Sequence, residues 1–139
     1  MHRPTSSALF ALILTAALVS GCDDDDPTGG PSEPPPTEVT ETFQGQVTIN
    51  GARTHSFDVA RAGNITARFN SLSGEGTVVG LSLGTWNGQA CALQITNDNA
   101  TVATTVVATA TTLGSFCVRV YDVGSLTTAV DYEVVLTHF

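Results

Sequence analysis

The residues that could carry acid–base or nucleophilic chemistry are few and scattered. A hydrolytic site needs a nucleophile, a base within reach and a group that orients the base. His55 and His138 are the histidines outside the N-terminal segment, and no Gly-x-Ser-x-Gly or His-Glu-x-x-His motif accompanies them. We therefore expect both histidines to be structural or surface residues and the protein not to be an enzyme, with a cryptic hydrolase as the third alternative for its function.

Acidic residues offer two candidate carboxylate pairs, Asp131 with Glu133 and Asp98 with Asp122. Acids at strand ends and in loops are usually solvated. The chain has neither a Gly-rich phosphate loop nor the spacing of a calcium loop. The sequence therefore predicts no metal and no other cofactor.

Cys91 and Cys117 lie in alternating, strand-like segments. In an oxidising compartment such a pair commonly forms a disulfide, and closing a loop of about 26 residues would stabilise the fold by ~3.5 kcal/mol. Two separately buried thiols are the alternative. A zinc site fits less well, because Zn²⁺ takes four nitrogen or sulfur ligands and only His55 and His138 could complete the set.

Trp86, Asn87 and Tyr121 are the candidate ligand-binding residues. Large amphipathic side chains supply contact area and a polar group, so these three could form a platform for sugar rings. The alternative is that Trp86 covers one end of the fold and Tyr121 lies on a half-buried strand.

A third cysteine lies in the N-terminal segment. Arg3 precedes an apolar run from Ala8 to Val19, a layout typical of a bacterial export signal. The run has 12 residues, fewer than the about 20 that a membrane-spanning helix needs.

The motif VSGC, residues 19–22, closes this run and resembles the lipobox of bacterial lipoproteins. That resemblance implies that residues 1–21 are a cleaved signal peptide and that Cys22 becomes the acylated N-terminus. Two or more acyl chains anchor a protein stably to a membrane. The alternative is an ordinary signal peptide cut nearby, which leaves Cys22 as a free thiol.

Residues 22–42 have the composition of a linker, with five of the six prolines and seven of the 13 acids. Low hydrophobicity with high net charge favours disorder. We expect a flexible acidic tether with a reach of roughly 25 to 60 Å.

The segment from Phe43 onward contains four arginines, six acidic residues and no lysine. This charge balance argues against nucleic acid as a partner.

Residues 43–139 are long enough for one domain with a modest core. They contain no proline and no methionine and are rich in Thr, Val, Ala and Gly, a composition that suits strands. The segment 101–112, TVATTVVATATT, is one candidate strand, and apolar residues alternate in seven others: Val47 and Ile49; Phe57 and Val59; Ile65, Ala67 and Phe69; Val79, Leu81 and Leu83; Leu93 and Ile95; Phe116, Val118 and Val120; Tyr132, Val134 and Leu136. The pattern predicts an all-β fold, a single antiparallel β-sandwich.

Two Asn-Gly pairs, at 50–51 and 87–88, have the sequence of two-residue hairpin turns. Such loops would place the apolar residues of the flanking strands on opposite faces, so we predict a longer loop or a bulge at both. The alternation also predicts that the two cysteines point to different faces. Cys117 lies between apolar residues of its strand and should point away from the core, whereas Cys91 has the same parity as Leu93 and Ile95 and should point toward it. The disulfide therefore requires a bulge or a position at a sheet edge.

Three segments together resemble the bacterial pre-peptidase C-terminal domains: HSFDVARAGNITARF (55–69), GSFCVRVYD (114–122) and YEVVL (132–136). The resemblance implies a jelly-roll-like β-sandwich with a non-catalytic accessory role. We therefore expect a lipid-anchored protein of the bacterial cell envelope, facing the periplasm or the surface. It would act as a binding or structural module for an envelope or extracellular protein or glycan, with carbohydrate binding as the alternative.

Overall fold

The structure, a computed structural model, describes residues 34–139. Residues 1–21, Cys22 and most of the predicted tether lie outside this part of the chain, so what the sequence predicts for them stays a prediction. Every regular element in residues 34–139 is a strand: β1 (Val39–Val47), β2 (Ala52–Val59), β3 (Gly63–Leu72), β4 (Val79–Trp86), β5 (Cys91–Ala100), β6 (Thr105–Ala110), β7 (Gly114–Tyr121) and β8 (Val130–His138). Among these residues no helix is long and apolar enough to cross a membrane.

The strands form two four-stranded antiparallel sheets. One has the order β1-β8-β3-β6 and is called here the first sheet; the other has the order β2-β7-β4-β5 and is called the second sheet. This is the strand order of a jelly roll, in which two Greek keys make a double sheet. The predicted antiparallel sandwich is thereby confirmed.

The core lies between the two sheets. Alternate residues of β2, β3 and β8 are buried and the residues between them are exposed or half-buried, because successive side chains of a strand point to opposite faces. Phe69, Leu81, Val118 and Leu136 are among the fully buried side chains. Most of the alternating apolar residues named from the sequence belong to this core, but Ile49, Leu93 and Ile95 remain exposed.

The first strand begins earlier than the predicted domain boundary at residues 42–43. Val39 already pairs with His138, and the pairing with β8 continues without interruption to Val47. The buried ring of His138 also lies 2.9 Å, Nε2 to Oε1, from the carboxylate of Glu41. Residues 39–42 have a linker-like composition, but hydrogen bonding to β8 gives them a strand conformation.

The two Asn-Gly pairs differ in role. Asn50 and Gly51 lie between strands of different sheets, so no hairpin forms there. Gly51 donates to the carbonyl of Thr48 over 2.8 Å, and Asn50 takes a positive φ of 55°. The second pair begins a four-residue loop, 87–90, of the β4–β5 hairpin. Neither pair forms a two-residue hairpin loop. This agrees with the prediction made from the alternation of the flanking strands.

Strand direction divides the loops between two ends of the sandwich. The connections 48–51, 73–78, 101–104 and 122–129 lie at one end, here the distal end. The other three connections lie at the opposite end, where β1 also begins at Val39. The chain therefore enters β1 at the end opposite the distal loops.

Candidate binding surface

The three aromatic-platform residues predicted from the sequence do not come together. Tyr121 pairs with Gly80 near the distal end of β4, whereas Trp86 is six residues further along the same strand. At about 3.4 Å per residue the two positions are roughly 20 Å apart along the strand. The structure does not bring Trp86, Asn87 and Tyr121 together in one platform, because chain topology places Trp86 and Tyr121 at opposite ends of the second sheet.

Each of these residues also has a local structural role. The Asn87 side-chain oxygen accepts hydrogen bonds from the backbone N–H groups of Gln89 and Ala90, at 2.9 and 2.8 Å. Trp86 is half-buried at the end of β4, in register with Cys91. Asn87 thus closes its own loop and is not free to orient toward a ligand.

Tyr121 lies across β4. Its ring covers Gly80, where an added Cβ would overlap the ring carbons, and its hydroxyl donates to the carboxylate of Asp98 on β5. Burial, followed by the hydrogen bond to Asp98, raises the pKa of Tyr121 above its ordinary value. The side chain therefore ties β7 to β5 over the strand between them.

The disulfide makes a second tie over the same strand. Cys91 and Cys117 are bonded, with their Cα atoms 5.8 Å apart, which confirms the predicted pair. Cys117 is in register with Gly84 of β4, and a Cβ on Gly84 would overlap the backbone of Ala92. Glycine at this position lets β5 approach closely enough for the bond to form.

A bulge resolves the parity conflict between the cysteines. Leu83 pairs with Ile95 and Gly84 with Leu93, so Gln94 is an extra residue on β5. An extra residue reverses which face the following side chains occupy. Cys91 and Leu93 therefore share the outer face with Cys117, whereas Ile95 is in register with the buried Leu83. Leu93 and Ile95 do not share a face.

The outer face of the second sheet is thus closed by its own side chains. Ser82 lies between the two ties, is fully buried, and donates to the hydroxyl of Thr96 over 3.2 Å. The guanidinium carbon of Arg119 lies 5.9 Å from the centroid of the Tyr121 ring. These contacts join β7, β4 and β5 across the outer face of the sheet.

The histidines have structural contacts near the β1 and β2 edges. The His55 ring stacks on Phe43 with centroids 4.9 Å apart, and its Nε2 lies 2.7 Å from the Tyr132 hydroxyl. Burial, and then the charge of Arg53, lowers the pKa of His55 below 6.5. The described residues contain no group of three or more His, Cys, Asp or Glu side chains that could hold a metal ion.

Asp122 organises the distal loops. One carboxylate oxygen accepts from the backbone N–H groups of Gly124, Ser125 and Leu126, and the other accepts from Asn50 over 2.8 Å. The hydrogen bond from Asn50, and then those from the loop amides, lower the pKa of Asp122. Asp98 accepts from Tyr121 instead, so the candidate pair Asp98–Asp122 does not form.

Asp131 and Glu133 lie on the outer face of the first sheet, within a group called here the amide patch. Gln46 donates to Asp131 over 2.9 Å, and Gln44 and Asn70 both donate to Glu133. The amide donors lower the pKa of Glu133. A groove of about 550 Å³ runs beside this patch, so the pair is a polar surface and not an acid–base dyad.

Exposed apolar side chains concentrate on a different side of the sandwich. Of the eight exposed large apolar residues in residues 34–139, four lie on β5, β6 or the loop that joins them. We call this group the apolar side; its members are Leu93, Ile95, Val102 and Val107, each 41–57% exposed. A groove of about 460 Å³ separates the two strands and is lined in part by Ile95, Val106 and Val107. The uncharged segment TVATTVVATATT is the sequence signal for this side.

Comparison with known proteins supports the fold. No family model matches the chain, and no curated protein matches it significantly. A crystal structure of the Yersinia pseudotuberculosis-derived mitogen is similar, with a TM-score of 0.58 and 16% identity over 74% of this chain and 88% of that one. A crystal structure of Aeromonas hydrophila PliG, a periplasmic lysozyme inhibitor of g-type lysozyme, has a TM-score of 0.48 and 17% identity, covering 70% of this chain and 83% of that one. The first similarity shows a shared fold.

Proposed function

We propose that this protein is a lipid-anchored, non-catalytic binding module of the bacterial cell envelope, and that its apolar side docks a protein. The observation that carries the proposal is the concentration of exposed Leu93, Ile95, Val102 and Val107 on β5, β6 and their loop. Of these residues, Ile95 and Val107 line one groove between β5 and β6, and exposed apolar surface of this kind marks an interaction site. Apolar side chains beside two sheet edges suit a protein partner, which can bury both the side chains and the strand edges.

The location rests on the cysteines. A disulfide such as Cys91–Cys117 persists in oxidising compartments outside the cytoplasm. The lipobox resemblance of residues 19–22 supplies the anchor, and acylation of Cys22 would account for the one cysteine that the disulfide leaves over. The domain would then sit on the tether of residues 22–38.

The absence of catalysis is supported by how the titratable side chains are used. His138 contacts Glu41, His55 contacts Tyr132, and Asp122 accepts four backbone hydrogen bonds. Each of these groups is engaged in contacts that hold strands or loops of the domain together.

Carbohydrate binding is the second candidate function, and the amide patch favours it. Planar amides and carboxylates held in fixed orientations beside a groove can pair with the hydroxyl groups of a sugar. On a glycan array, Glu133→Gln and Asn70→Ala should each weaken binding at least tenfold. The matched control Trp86→Ala should leave binding unchanged, and binding lost only in Trp86→Ala would contradict a site at the amide patch.

Thiol labelling in intact cells tests the leading proposal. A membrane-impermeant maleimide, with the outer membrane permeabilised where the cell has one, should not label the parent protein, because Cys22 is acylated and the other cysteines are bonded. Ile95→Cys should label fully in purified protein and at least fivefold more slowly in cells, because a partner covers it. Val123→Cys, 37% exposed in a distal loop, is the control and should label equally in both settings. Equal labelling of Ile95→Cys in both settings would remove the docking surface, and labelling of the parent at Cys22 would remove the anchor.

A further inference from the structure

The four edge strands of the sandwich are protected to different degrees. An unpaired strand edge invites pairing with another chain, and proteins block it with charges, bulges, proline or inward-pointing polar groups. At the β1 edge the Arg53 side chain donates to the backbone carbonyl of Gln46 over 3.2 Å. On β2, Arg53, His55 and Asp58 interrupt the strand with polar side chains.

The two edges on the apolar side also differ from each other. β5 carries the bulge at Gln94, a second irregularity near Asp98, and the disulfide. β6 has none of these devices: its sequence TVVATA contains no charge, proline or glycine, and its pairing with β3 is unbroken. Uncharged segments of six residues with high β-propensity are those that pair with further strands.

We propose that β6 pairs with β6 of a second copy of this chain, antiparallel and about a two-fold axis at Val107. This inference rests on the proposed function, because the β6 edge is part of the apolar side where a protein is proposed to dock. The docked protein is here a second copy of the chain. Only an extended main chain offers donors and acceptors at the spacing of a bare strand edge.

Self-complementarity is the reason for choosing a second copy. With the axis at Val107, each Thr105 faces Thr109 of the second copy, and each Val106 faces its Ala108. Val107 meets its own equivalent at the centre. Threonine pairs and β-branched pairs are favourable across strands, and no like charges oppose each other in this register. A two-fold interface requires a patch that complements itself.

The same arrangement accounts for the other exposed residues. The β5 edge lies beside β6 in the opposing sheet, and the groove between them exposes Ile95 and Val107. Joining the two β6 strands brings the two β5 edges toward each other beneath the shared sheet. Ile95 would then be shielded without a strand partner of its own.

Cysteine cross-linking tests the register in the mature chain, residues 22–139, carrying Cys22→Ser. Val107→Cys should form a cross-linked dimer on mild oxidation, because facing residues have Cα atoms about 4.5–5.5 Å apart, within disulfide range. Thr105→Cys alone should not cross-link, since its equivalent lies four residues away along the strand, roughly 14 Å. A mixture of Thr105→Cys and Thr109→Cys chains should cross-link again.

Analytical ultracentrifugation provides the second readout. The Cys22→Ser chain should dimerise, and Val107→Lys, at an exposed position, should weaken the dimer at least a hundredfold while its circular dichroism stays unchanged. A monomer at every concentration up to about 1 mM, the range that tethering can reach, would overturn the proposal. So would a dimer insensitive to Val107→Lys. A monomer whose Ile95→Cys is nevertheless protected in cells would overturn self-pairing and leave the proposed docking of a different protein intact.

Discussion

At the scale of single residues, small side chains on β4 decide what its neighbours can do. Gly80 and Gly84 leave space beside β4; the Tyr121 ring from β7 fills the first space and the backbone of Ala92 on β5 fills the second. The sequence identifies Tyr121 as an aromatic of interest but does not show what it covers. Whether an aromatic residue is a ligand platform or a structural tie depends on the residue opposite it in the next strand, which only the register reveals.

The Gly80–Tyr121 contact leads to a prediction about the free energy of unfolding. Gly80→Ala should lower the free energy of unfolding by roughly 1–3 kcal/mol, because the new methyl group overpacks against the Tyr121 ring. In a Tyr121→Ala background the same change should cost much less. Urea unfolding of the four proteins measures the coupling, and equal costs in both backgrounds would contradict the contact.

The environment of His55 leads to a prediction about how stability depends on pH. Its pKa is lowered in the folded state, so the unfolded chain binds the proton more readily. The free energy of unfolding should therefore decrease as pH falls below 6.5, the ordinary pKa of histidine, until the folded-state pKa is passed. His55→Gln keeps a hydrogen-bonding group but does not titrate, so its stability should depend less steeply on pH between 6.5 and 5. A slope unchanged by the substitution, measured by urea unfolding at several pH values, would count against this role of His55.

At the scale of elements, the period-two alternation predicted where most strands lie. It could not locate bulges, because an extra residue changes the facing without changing the composition. Leu93 and Ile95 look like one face of a strand, yet Gln94 separates them onto two. The Asn-Gly pairs show the opposite case, because the parity of the flanking residues is by itself enough to exclude the simple hairpin.

The start of β1 shows where composition misleads. Residues 39–42 have the acids and threonines of a linker, but β8 supplies their hydrogen-bonding partner and His138 contacts Glu41. A chain that starts at Phe43 should be less stable than one that starts at Pro34, by about 1–3 kcal/mol, because the buried His138 loses its partner. Glu41→Gln in the longer chain should account for part of that loss. Equal thermal and urea stability of the two chains would show that residues 39–42 contribute nothing.

At the scale of the whole molecule, topology sets what the protein can present. The jelly-roll order puts Trp86 and Tyr121 at opposite ends, and it brings β5 and β6 to one side. No local sequence pattern shows that Trp86 and Tyr121 are distant or that β5 and β6 are close, because the order of the strands in the sheets determines both. The sequence therefore predicted the fold class and the disulfide, whereas the candidate surface required the arrangement of the sheets.

In the proposed function, a protein of the cell envelope covers the apolar side. In-cell photo-cross-linking tests it most directly, with a photoreactive amino acid at position 95 or 107 of the full-length protein and the same residue at position 123 as control. We expect a discrete adduct from positions 95 and 107 and none from position 123. An adduct of twice the protein's own mass would indicate a second copy, and any other discrete mass a different partner. Adducts from position 123 alone, or from no position, would contradict the claim.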